Sequence, residues 1–124
     1  EHVENLIHLA ETVLQPVRDH FGKAVVISSG YRSPELCEAI GSSAKSQHAR
    51  GEAADFEIPG VDNKELATWI SKNCNFDQLI LEFYNESDPN SGWVHCSATV
   101  SEPRGQCLSA TKVQGRTKYE QIIL

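Results

Sequence analysis

The sequence predicts an α+β fold, with helices packed on one side of a largely antiparallel sheet. Three observations carry that reading. Val3, Leu6, Ile7, Ala10, Val13, Leu14 and Val17 recur at three- and four-residue intervals, the signature of a helix with one apolar stripe. Short β-branched or apolar runs, AVVIS (24–28) and FDQLILEF (76–83), read as strands. The predicted order is helix, strand, short helix, strand, helix, and then three strands linked by short loops, which gathers the helices beside the sheet.

Each element has a local reason. Gly22 stands where the first helix should stop, and Pro16 inside it predicts a kink or a local break. AVVIS reads as a buried strand. Ser33 followed by Pro34 is a helix start, giving a short helix to about Ile40. GSSAKSQ is a polar loop. Glu52 to Ile58 reads as a strand and Pro59-Gly60 as a turn. Asp62-Asn63-Lys64-Glu65 is an Asp form of the capping box, opening a helix to about Asn73 whose apolar face includes Trp69. FDQLILEF, GWVHCSATV and CLSATKV (107–113) supply the last three strands, and the polar tail after Gln114 is expected to be loosely held.

The chain has 124 residues, enough for one domain with a real core, expected over 1–124. It begins with Glu rather than Met, which leaves room for a leader or a short N-terminal segment ahead of it. Asp and Glu outnumber Lys and Arg by 17 to 11, a net charge of −6, so nucleic acid is excluded as a partner for want of a basic stripe. No apolar run approaches the roughly 20 residues that span a bilayer. Cys37, Cys74, Cys96 and Cys107 lack CxxC spacing, which argues against a thiolate zinc site and for small, buried or half-buried residues. Spacing leaves a Cys96–Cys107 disulfide open.

The chemistry concentrates in SQHARGEAADF (46–56) and GWVHCS (92–97). If Glu52 to Phe56 is extended, Ala53 and Asp55 share one face, and Gly51 lets the chain turn between His48 and Asp55. With His95 from a later strand, His48 and Asp55 would give zinc two imidazoles and a carboxylate, leaving one position for water. The plainer alternative makes His48 an exposed loop residue, Asp55 a surface carboxylate and His95 a hydrogen-bonded, half-buried histidine.

SGYRSPEL (29–36), SQHARGEAADF, FDQLILEF and GWVHCS together resemble, in order and spacing, the motifs of the zinc D-alanyl-D-alanine carboxypeptidase family. That family also holds phage endolysin peptidases, vancomycin-resistance dipeptidases and, more remotely, the Hedgehog signalling domain. The chain is most similar to the small single-domain branch, from about Asn5 to Val113. The SxHxxGxAxD signature falls on Ser46, His48, Gly51, Ala53 and Asp55. The resemblance implies one Zn²⁺ per chain held by His48, Asp55 and His95, with Arg32 facing the substrate. Many relatives carry their general base, a Glu, three residues before the last His. Gly92 stands there in this chain, so Glu82 takes that role: an antiparallel return through residues 84–91 would bring it beside GWVHCS. Cys37 and Cys96 stand where the family pattern has Asn and a small or β-branched residue.

The resemblance implies a zinc peptidase acting on bonds next to D-Ala in peptidoglycan stem peptides, as carboxypeptidase or endolysin-type endopeptidase, and favoured as a monomer. Catalysis falls to Glu82 and Arg32, and substrate binding to Arg32, Ser46, Gln47, Tyr31 and Trp93. The alternative is a zinc-stabilised, non-catalytic cell-wall-binding or phage structural module, to which Gly92 lends weight.

Overall fold

A computed structural model describes residues 2–29, 51–88, 91–99 and 102–124. The expected helix from Ser33 to Ile40 lies outside these residues, as do Tyr31, Arg32, Cys37, Ser46, Gln47 and His48.

The N-terminal stripe winds into helix in three joined pieces: α1 (His2–Leu9), a π-helical segment (Ala10–Leu14) and α2 (Gln15–Phe21). The local break expected at Pro16 takes the form of this π-helical segment, which interrupts the α-helical bonding just before the proline. Its ring would crowd the carbonyl four residues earlier, and the turn before it widens instead. The N–H of Gln15 donates to the carbonyl of Ala10, five residues back. Gly22, in the left-handed region at φ 63°, closes α2 with a bond to Arg18. Across the widened turn, Leu9, Val13 and Val17 form the buried face, while Val3 and Ile7 of the predicted stripe stay exposed.

Among the described residues six strands follow: β1 (Val26–Ser29), β2 (Ala53–Glu57), β3 (Gln78–Glu82), β4 (Trp93–Ser97), β5 (Gln106–Val113) and β6 (Arg116–Gln121). They form one sheet in the order β1-β2-β4-β3-β5-β6. All neighbours are antiparallel except β3 and β5, so the sheet is mixed. Two sequence expectations are corrected. AVVIS is not a buried strand: β1 is an edge, with Val26 and Ile27 about half exposed, because β-branched composition marks a strand without fixing its place in the sheet. The tail is not loose either. Val113 to Arg116 form a two-residue hairpin with Gln114 and Gly115 both at positive φ, and β6 pairs along β5.

Helix α3 (Asn63–Asn73) starts on Asp62, whose side chain accepts the Lys64 N–H at 2.8 Å. Its Leu66, Ala67 and Ile70 meet one face of the sheet together with Leu9, Val13 and Val17. On that face Ala54 pairs with Cys96 and Phe56 with Val94, and these in turn align with Leu79 and Leu81 of β3. Strand alternation sends the residues between them, Asp55, His95, Ile80 and Glu82, to the opposite face. The sheet thus gives one side to the helices, while the other carries Asp55, His95 and Glu82 beside the buried Ile80.

Cys74, Cys96 and Cys107 are free thiols. Cys96 and Cys107 both align with Leu79 from opposite sides, so a whole strand separates them and no disulfide forms. Among the described residues no helix is long and apolar enough to cross a membrane.

Candidate metal centre

Register brings the first two site residues together. Asp55 of β2 lies directly opposite His95 of β4. Side chains on directly opposed antiparallel residues stand side by side on one face. His95 Nδ1 is 2.8 Å from Asp55 Oδ1, a hydrogen bond when that nitrogen carries the proton. Both side chains are mostly buried, 13% and 16% exposed. Strand β4 is central, laddered to β2 and β3, and β2 is held on its other side by β1. The Ser28 hydroxyl donates to the Asp55 carbonyl at 3.2 Å. The pair therefore stands on backbone that cannot shift without breaking sheet bonds.

Glu82 joins from the end of β3, where the antiparallel return places it opposite Trp93. One ligand atom from each of Asp55, Glu82 and His95 falls within 4.8 Å of the other two. Two features set the backbone at Glu82. Phe83, directly after it, is left-handed at φ 55°, an uncommon conformation for a bulky residue, while its N–H bonds the Ala110 carbonyl of β5 at 2.8 Å. Gly92 passes so close that a Cβ there would overlap the Glu82 carbonyl oxygen and come within 2.8 Å of the Phe83 carbonyl group. No Glu fits at Gly92, whose φ is 65°. The Trp93 indole N–H donates to Glu82 Oε2. Sequence reasoning gives Trp93 only a place in the pocket wall. No spacing rule finds this bond, because it depends on the β3–β4 register.

The donor set suits zinc: an imidazole and carboxylates, half-buried on a braced sheet, with no thiolate among them. Cys96, next to His95, points to the core face, where burial pushes its thiol pKa well up. His20 and His8 go elsewhere: His20 stacks on Trp69 with ring centroids 4.5 Å apart, and His8 lies beside Thr12 on the helix. Of the residues singled out from sequence, Asp55, His95, Glu82 and Trp93 come together. His48, Arg32, Tyr31, Ser46 and Gln47 lie outside the described residues.

A histidine and two carboxylates thus converge on the face of the sheet away from the helices, a group that could hold a metal ion. The sequence matches the family described as Peptidase M15 over residues 2–97, and the chain belongs to that family of zinc-dependent metallopeptidases. The match ends with β4, so β5 and β6 stand outside it. No curated protein matches the chain.

Proposed function

We propose that the chain is a peptidase that cleaves peptide bonds next to D-Ala in peptidoglycan stem peptides, with His48, Asp55 and His95 holding one Zn²⁺ and Glu82 as general base. The observation that carries this reading is the convergence of Asp55, His95 and Glu82 within 4.8 Å. Zinc, when bound, supplies Lewis acidity that brings the pKa of a water down towards about 7. Glu82 takes the proton of the attacking water as its oxygen adds to the carbonyl carbon. It then passes that proton to the amine nitrogen as the C–N bond breaks. Arg32 stabilises the oxyanion or clamps a terminal carboxylate, with Ser46 and Gln47 adding hydrogen bonds and Tyr31 and Trp93 walling the pocket. These last roles rest on family resemblance, as does the reading of the fold as that of D,D-peptidases.

Gly92 in the place of the usual base favours the second reading, a zinc-stabilised module of the cell wall or of a phage particle that does not hydrolyse. Glu82 beside Asp55 and His95 supports hydrolysis over it. The test is to incubate zinc-loaded protein with stem peptides ending in D-Ala-D-Ala and with cross-linked muropeptides. Cleavage is expected, and Glu82→Gln should lower kcat by about 10²–10⁴-fold with zinc retained. Undiminished activity in Glu82→Gln would remove Glu82 as base, and no cleavage of either substrate by zinc-loaded parent would favour the module.

A further inference from the structure

A general base works only if its carboxylate is aimed, and a glutamate at a strand end has three rotatable bonds with which to miss. We propose that Trp93 is the positioning residue of Glu82: its indole N–H holds Oε2 and so sets the direction of the carboxylate. This rests on the assignment of Glu82 as base.

The indole is itself fixed. Trp93 lies opposite Glu82 in the β3–β4 register, so the bond spans one cross-strand pair. The Phe83 ring meets the indole edge-on with centroids 5.3 Å apart, and the Lys112 ammonium sits 5.8 Å from the centre of the Phe83 ring. The left-handed turn at Phe83 directs that ring, and the close passage of Gly92 holds the backbone on either side. Lys112 belongs to β5, beyond the part of the chain that matches the family. The row Lys112, Phe83, Trp93, Glu82 therefore braces the carboxylate from a strand that the family match does not include.

The test begins with the protein in which Trp69→Phe leaves Trp93 as the single tryptophan. Without added metal, its indole N–H should give a downfield, exchange-protected proton resonance. Glu82→Ala should move it upfield and remove the protection. An indole resonance indifferent to Glu82→Ala overturns the proposal, whatever the activity of the protein. In zinc-loaded protein, Trp93→Phe keeps an aromatic ring against Phe83 but has no N–H. It should lower kcat by roughly tenfold to a hundredfold, with zinc content unchanged. Replacing Trp93 by its benzothienyl analogue, equal in shape but without the donor, should lower kcat to the same degree. Full activity of the analogue overturns the positioning role. The base assignment is read separately: full activity of Glu82→Gln fells it, and the positioning role with it, even where the indole bond is seen.

Discussion

Gly92 shows how much one missing methyl can decide. At φ 65° the backbone is left-handed, and a Cβ would run into the Glu82 carbonyl. Gly92→Ala should therefore cost at least the roughly 1–3 kcal/mol of a strained non-glycine backbone, and displace Glu82 besides. Urea unfolding measures the first and kcat the second, and an alanine variant as stable as the parent would contradict the geometry. The same contact explains why the base cannot sit three residues before His95 here. The thiols give a second residue-scale expectation. Burial raises Cys74 from 9.0 to about 11, so the folded protein keeps that proton over a range where the unfolded chain has lost it. Stability is then intact below pH 9 and falls as the pH climbs from about 9 towards 11. Thermal midpoints across that range should show the decline, and Cys74→Ala should make it shallower, with Cys96 and Cys107, also raised by burial, keeping the rest. An equal slope in the variant would contradict this assignment.

At the scale of elements, the parts legible in the sequence are those that short-range chemistry decides. Helix α3 is announced by Asp62, and the structure has Asp62 capping Lys64 while the Tyr84 hydroxyl donates to its other oxygen at 3.1 Å. Asp62→Ala should lower stability by about 1 kcal/mol through the lost cap, measurable by denaturant unfolding; an unchanged midpoint would mean that the cap contributes nothing. Strand β6 was not legible, because RTKYEQ is exposed on both faces and so carries no apolar alternation. Gly115 after Gln114 was its one signal. Strand β5 is approached through a clamp that sequence also hides: Asp77, nearly buried, takes two side-chain bonds from Arg104 at 2.8 and 3.0 Å and the Arg104 backbone N–H at 2.9 Å. Asp77→Ala removes hydrogen bonds to a nearly buried charged acceptor and should destabilise by roughly 1.5–3 kcal/mol, read as a lower urea midpoint. A midpoint equal to the parent's would show that the clamp is dispensable.

Over the whole molecule the division of labour comes from alternation along three strands. Ala54, Phe56, Val94, Cys96, Leu79 and Leu81 give the helices a face to cover, and the residues between them deliver Asp55, His95 and Glu82 to the other side. The sequence displayed this alternation over Glu52 to Phe56, and the family motifs singled out Asp55 and His95 as expected ligands. It could not display the hold of Trp93 on Glu82 or the overlap at Gly92, which exist only once strands distant along the chain are paired. Because Asp55 and Glu82 bring two carboxylates close together, a bound cation should stabilise the fold by mass action, and chelation should lower the thermal midpoint in a way that added zinc reverses. The most direct measurement is the zinc content of purified, zinc-equilibrated protein, parent beside Asp55→Ala and His95→Ala. About one zinc per chain in the parent, lost in either variant, is the expected result. A parent that binds none, or variants that retain a full equivalent, would contradict a metal centre at this place on the sheet.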